Sequence, residues 1–294
     1  MSFWRRRRAR VHIDRGAWLI GERRLDEALT ELEQAAAVAP DDWRVWYDLG
    51  LLHKWRREWA PSRDCNRAAV ELGGDHDACW NLGIAATAIG DWAVARRAWR
   101  GVGIAVPDGD GPVELGLGLC VVRLRTIEGG GETVWCERVD PVRGRVANIP
   151  LVESGHRWGD VVLHDGEPAG TRGGPHGSKV TVFDELERLE PSPFVTWRAT
   201  VVAPVERDVI DLVDRFREPA RAAEDWTASV HPLCDACSRG EPDGEHCHGP
   251  DDDEWLAERT IAFAARERGE VVELLEAWAG DGRGRSWRRL DGGD

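Results

Sequence analysis

Apolar residues recur with a helical period through the first third of the chain and with a strand period after it. Leu25, Ala28, Leu29, Leu32 and Ala35-Ala36 fall on one face of a repeat of about 3.6 residues, which predicts a helix. Pro40 stops it, and Asp41-Asp42 supply caps for the next. Pro61 stands where a later helix should begin, a place that tolerates the missing N–H. Gly90-Asp91-Trp92 reads as a further turn, so residues 9 to 103 form three helical hairpins.

Beyond Pro107-Asp108-Gly109 the period drops towards two. Val113 to Arg125, Thr133 to Cys136, Arg145 to Ile149 and Asp160 to Leu163 are short strands bounded by Gly, Pro and Asp. Their spacing suggests a small barrel or curled sheet. Val195–Val202 predicts a strand, Glu206–Arg217 a helix with Val209, Leu212, Val213 and Phe216 inward, and Trp226–Val230 a second strand. A final helix is expected after the cap at Asp251–Glu254, with Trp255, Ile261, Phe263, Val272, Leu275 and Trp278 on its apolar side and Gly269 as a break. The Arg/Gly-rich tail from Asp281 reads as disordered.

The hairpins share one layout. Leu49-Gly50 is followed by Ala69, and Leu82-Gly83 by Ala95, Trp99 and Pro107. Counting back from Pro40 finds Gly16, Ala28, Leu32 and Ala35 at matching places. Small residues where helices touch, repeated about every 34 residues, resemble the tetratricopeptide repeat family. The middle repeat departs from the pattern, with Ser62 and Asn66 in place of apolar residues. The resemblance implies stacked helix pairs with a concave protein-binding surface. It maps the inward positions to Ile13 and Ala17 in the first repeat, Arg44, Tyr47, Leu51 and Lys54 in the middle one and Asp77, Trp80 and Ile84 in the third. Aromatic and aliphatic residues edged by Arg and Lys suit a peptide or helix with an acidic flank. The alternative is that the chain's own C-terminal half fills the groove. A chaperone-type clamp for a C-terminal carboxylate is argued against, because Ile13, Ala17, Asp48 and Asp77 stand at its positions and only Asn81 agrees. Asn148-Ile149-Pro150 with Gly159-Asp160-Val161-Val162 is similar to small uncharacterised bacterial barrel domains, a likeness that implies no activity. A bacterial immunity or regulatory role would suit such an adaptor.

The expected organisation is therefore α plus α+β. A repeat array spans residues 9–107 and a β-rich domain with a small barrel and a β-α-β unit spans 113–230. A Cys/His loop and C-terminal helix span 231–280, and a tail spans 281–294.

Charge and cysteine usage narrow the function. A net charge of -14 argues against a general nucleic-acid binder, which needs a broad cationic face. Arg5 to Arg8 with Arg10 read as a solvated N-terminal turn or a contact for an acidic partner or nucleic acid. Seven cysteines, an odd number scattered along the chain, do not form a disulfide framework, and no apolar run reaches membrane-span length. A cytoplasmic protein without a membrane partner is expected.

The chemistry-bearing stretch is His231 to His248. Cys234 and Cys237 form a two-sulfur hook, and His246 and His248 complete four tetrahedral donors for a structural zinc. Cys247 or His231 could replace a histidine. A metal-free loop and a Cys234/Cys237 redox pair are the other readings. No catalytic residues are assigned. Ser154-Gly155-His156 and His164-Asp165 lack a nucleophile elbow or paired carboxylates in sequence. A non-enzymatic adaptor leads, with a metal-dependent enzyme using the C-terminal region as the alternative.

Overall fold

A computed structural model describes residues 3–125, 131–174, 177–217, 221–230, 237–238 and 255–292. The chain divides into two compact units, Met1–Leu115 with Asp140–Val142, and Gly116–Val139 with Arg143–Asp294. No helix among the described residues is long and apolar enough to cross a membrane.

The first unit is an array of six helices: α1 (Phe3–Gly21), α2 (Leu25–Val38), α3 (Trp43–Trp55), α4 (Trp59–Glu71), α5 (His76–Ala88) and α6 (Trp92–Gly101). Aspartates start three of them. Asp42 accepts from Arg44 N at 3.2 Å, Asp75 from Asp77 N at 3.1 Å and Asp91 from Val94 N at 3.2 Å. Such caps satisfy donors the helix itself leaves open. Each hairpin turns through one residue in the left-handed region: Arg23 (φ 58°), Arg57 (φ 59°) and Gly90 (φ 70°). Only the last is the residue type that adopts it without steric cost.

Helices pair as α1 with α2, α3 with α4 and α5 with α6, while α1, α3 and α5 also touch in succession. Three glycines permit the pairing. A Cβ on Gly16 would lie 2.6 Å from Leu32, one on Gly50 2.4 Å from Asn66, and one on Gly83 2.4 Å from the Trp99 ring. Ala28, Ser62 and Ala95, one turn before those partners, are fully buried. The polar middle repeat keeps the geometry through hydrogen bonds. Ser62 Oγ donates to Gly50 O at 2.8 Å, and Asn66 Nδ2 to Ser62 O at 2.9 Å. Arg96 fixes the chain after α6, donating to the carbonyls of Pro107 at 3.2 Å and Gly111 at 2.7 Å.

The second unit holds two sheets. Strands β1 (Leu119–Arg125), β2 (Gly131–Arg138), β3 (Arg143–Val146), β4 (Val161–Gly173) and β5 (Lys179–Glu190) close into a barrel. Closure comes from parallel pairing of Val121 to Arg123 with Val182 to Asp184. Register shifts along β4 between Val161 and Gly170 bend the long hairpin enough to allow it. Cys120, Val122, Leu124, Val134, Cys136, Val146, Val162 and Phe183 fill the interior. Gly144 is required opposite Cys136, because a Cβ there would come within 2.9 Å of the cysteine Cβ.

After the barrel come β6 (Val195–Val202), α7 (Glu206–Phe216), β7 (Ala222–Asp225), the single turn α8 (Trp226–Ser229), β8 (Glu258–Ala265), α9 (Arg268–Gly280) and β9 (Ser286–Gly292). The sheet order is β7-β8-β6-β9, every pair antiparallel. So β6 and β7 run parallel with β8 between them, and β8 and β9 run parallel with β6 between them. Two such split β-α-β units make the ferredoxin-like arrangement. Val209, Leu212 and Phe216 of α7 and Val271, Leu275 and Trp278 of α9 pack on Ala199, Val201, Ile261 and Phe263. The opposite face gives Ala262 and Ala264 to a cluster with Ile149, Phe194 and Trp226.

Three expectations are corrected here. Residues 258–265 form a strand, not the start of the last helix, because both faces of β8 are buried and leave no alternation to read. Trp226–Ser229 is a helical turn, started by Asp225, which accepts from Thr227 N at 3.1 Å, and the preceding Ala222–Asp225 is the strand. The supposedly disordered tail contains β9, anchored by Arg285 on Asp208 and Asp211, each at 2.7 Å.

Gly83→Ala is expected to lower stability by about 1–3 kcal/mol through overpacking against Trp99. Gly21→Ala, with nothing near its Cβ position, should be neutral or gain up to about 1 kcal/mol. Denaturant melts followed by circular dichroism check both. Equal effects at the two positions would remove the close approach as the cause.

Candidate functional site

The six residues assigned to a partner face lie on α3 and α5. Arg44 is exposed and donates Nε and Nη2 to Asp42 at 2.9 and 2.6 Å. Tyr47 and Leu51 are half-buried, and Trp43 meets Tyr47 edge-on with centroids 6.2 Å apart. Trp80 is half-buried, stacked on His76 at 5.9 Å and edge-on to the buried Trp99 at 5.2 Å. The other two are enclosed. Ile84 is 0% exposed and Lys54 5%, with Lys54 Nζ donating to Asn81 Oδ1 at 3.2 Å.

With Lys54 withdrawn, carboxylates set the charge of this layer. Burial pushes the Asp48 carboxyl up to about 7, and the nearby Asp14 adds to the rise. Burial and then Asp77 raise the Tyr47 phenol. Asp14 and Asp77 add exposed carboxyl groups to this layer beside the exposed Arg44, and Asp48 adds a buried one.

Of the expected zinc donors, Cys234, His246 and His248 lie outside the described residues, as do Cys247 and His231. Cys237 is described and buried. Among the described residues no group of three His, Cys, Asp or Glu side chains is placed to hold a metal ion.

A cluster that sequence reasoning did not assemble sits at one end of the barrel. His156 Nδ1 donates to Ser154 O at 3.0 Å, which leaves Nε2 for Glu185 Oε1 at 2.7 Å. Burial alone would depress this imidazole, but Glu185 outweighs it and the net shift is upward. Glu185 Oε2 also accepts from Arg125 N at 2.9 Å. Glu132 accepts from Leu151 N at 3.0 Å and is pushed up to about 7, chiefly by burial. Ser154 is not a nucleophile for His156. Its Oγ donates to Leu151 O at 2.8 Å and accepts from His156 N at 3.1 Å. One signal was available in sequence: Glu185 shares the strand parity of Phe183 and so points inward with it.

Beside this cluster opens a cleft of about 300 Å³ lined by Val152, Gly155, His156, Arg157, Arg188, Pro191 and Thr196. Deeper in the barrel, His164 stacks on Phe183 at 4.3 Å and bonds Asp165 O through Nδ1 at 2.7 Å. Burial brings its pKa down to about 4.

No family model matches the chain, and no curated protein matches it. Among solved structures, the "Novel crystal structure of a hypothetical protein from Neisseria gonorrhoeae" is similar at 11% identity over 58% of this chain and 92% of that one. Its TM-score is 0.26, a superposition too poor to transfer fold or function.

The buried groups give stability two opposed pH dependences. His164, depressed to about 4, supports the fold fully above the unfolded value of about 6.5 and loses that support as pH falls through 4. Glu132, raised to about 7, does the reverse: its support is full below the unfolded value of about 4.3 and is lost as pH rises through 7. Glu132→Gln should therefore gain roughly 1–3 kcal/mol relative to the native chain on going from about pH 5 to about pH 8. Denaturant melts across that range test it, and parallel curves for the two proteins would exclude a neutral buried carboxyl.

Proposed function

We propose that this chain is a protein-binding adaptor of the tetratricopeptide kind, taking its partner on the layer formed by α1, α3 and α5. The observation that carries this reading is the glycine contact repeated in each hairpin at Gly16, Gly50 and Gly83, together with the successive contacts of α1, α3 and α5. Tyr47, Leu51 and Trp80 remain partly open on that layer, and Arg44 is exposed beside them. Asp14 and Asp77 are exposed and Asp48 lies next to Tyr47, so the partner segment is one with basic side chains around an apolar anchor.

A photo-crosslinking residue in place of Arg44 tests the site directly. The expected product is a covalent adduct with one partner peptide rich in Lys or Arg. Asp14→Lys with Asp77→Lys should abolish it while helix content stays unchanged, since both side chains are exposed. An adduct that survives the double reversal, or one with an acidic peptide, would overturn the proposal.

The Cys/His loop belongs to the same reading as a structural zinc site of Cys234, Cys237, His246 and His248. Protein purified without chelator should carry about one zinc, lost as pH falls below neutral because thiolate ligands take up protons. Elemental analysis that finds no metal, with unchanged stability after Cys234→Ser, would leave the loop without a metal role.

A further inference from the structure

We propose that the cleft beside the His156–Glu185 pair binds the phosphoryl group of a small molecule between the Arg157 and Arg188 guanidiniums, with the Thr196 hydroxyl as a further donor. The proposal goes beyond the adaptor reading and stands on different residues.

Three observations carry it. The first is an unpartnered hydroxyl: Thr196 lines the cleft, is 5% exposed, and its Oγ1 has no hydrogen-bond partner among the described residues. Buried polar atoms are normally paired, and each exception calls for a ligand, a water or a role. The second is uncommitted positive charge. Other arginines of this unit are placed on carboxylates, as in Arg123 with Asp184, Arg259 with Asp225 and Arg285 with Asp208. The Arg157 side chain has no such partner among the described residues; its backbone N donates to Asp160 Oδ2 at 2.9 Å and its carbonyl accepts from Asp160 N at 3.1 Å. Arg188 spends Nη1 on Gly155 O at 2.7 Å and on an ion pair with Asp160 Oδ2 at 3.5 Å, while its Nε and Nη2 have no partner among the described residues.

The third is the state of His156. Both ring nitrogens are occupied, by Ser154 O and Glu185, so it offers the cleft no free donor. The donors come instead from three separate elements: the loop after the short turn Val152–Ser154, β5 and β6. A carboxylate is satisfied by the fork of one guanidinium. Two guanidiniums and a hydroxyl from different directions match a tetrahedral dianion better. The cleft volume is at the lower end of the roughly 300–1,000 Å³ typical of small-molecule sites. Val152 and Pro191 bound the space that a phosphoryl group would leave unfilled.

Calorimetry on the full chain with inorganic phosphate, glycerol phosphate and malonate tests the site. Both phosphates are expected to bind with one-to-one stoichiometry, and malonate at least about tenfold more weakly. Arg157→Gln removes a side chain with no ion-pair partner among the described residues, so it should weaken phosphate about tenfold without changing the melting temperature. Thr196→Val should weaken phosphate severalfold while the ligand-free protein melts at the same temperature or higher. Arg97→Gln, exposed on α6 and outside the cleft, should change nothing. Absence of phosphate binding, equal binding of malonate, or undiminished binding in Arg157→Gln would each overturn the proposal.

Discussion

The helical array depends on three places where a glycine lets a larger side chain rest against a helix backbone. Leu32 lies on Gly16, Asn66 on Gly50 and Trp99 on Gly83, and a Cβ at any of the three would fall inside contact distance. The distance between two helix axes is set by the side chains at their contact. With this contact fixed in every hairpin, α1, α3 and α5 share a layer, and Tyr47 and Trp80 occupy equivalent places on it. The middle hairpin shows that the constraint is spacing and not hydrophobicity. There the glycine leaves its own carbonyl within reach, and Ser62 donates to it while Asn66 donates back to Ser62. The Ser62 hydroxyl and the Asn66 amide nitrogen, costly if left unpaired in a packed interface, are satisfied by backbone carbonyls.

The same layer shows why charge on a repeat face is not read from residue type alone. Lys54 stands one turn beyond Leu51 and looks like a cation for a partner. Its ammonium instead crosses to Asn81 on the next hairpin, and the partner layer loses that positive charge. Asp48, on the same helix, is held up to about 7, so the layer gains negative charge as pH passes neutrality. A basic partner would bring the carboxyl back down and favour its ionised form, and by linkage binding and ionisation then support each other.

Much of the array was legible in sequence because its signal is small residues at a fixed interval, and small residues act at short range. What was not legible depends on neighbours distant in the chain, as with the bond from Lys54 to Asn81 and the full enclosure of Ile84. In the second unit the obstacles were different. Both faces of β8 are covered, so Ile261 to Ala265 reads as an unbroken apolar run with no strand period. In β9 the inward Trp287 and Leu290 lie three apart, because the register shifts opposite Ala199 and Thr200 and Arg289 turns through φ 53°. One extra residue is enough to erase the alternation. Glu185 was hidden by company, since it stands in a run of carboxylates whose other members look solvated.

The barrel cluster separates binding from catalysis on physical grounds. A buried histidine–carboxylate pair adds little net stability, because taking both groups out of water costs about what their attraction returns. Breaking it by taking one partner away is costly, so the pair fixes the local geometry more than it strengthens the fold. Here it locks the loop from Ser154 to His156 against Glu185 on β5, and that loop carries Gly155 and Arg157 into the cleft. General acid–base work requires a group that can exchange its proton with a reacting atom. His156 cannot do so while both nitrogens are engaged within the protein, and the Ser154 hydroxyl is engaged as well. What remains on the cleft wall is the charge of Arg157 and Arg188 and the Thr196 hydroxyl, which has no partner among the described residues, and that equipment suits holding an anion in place.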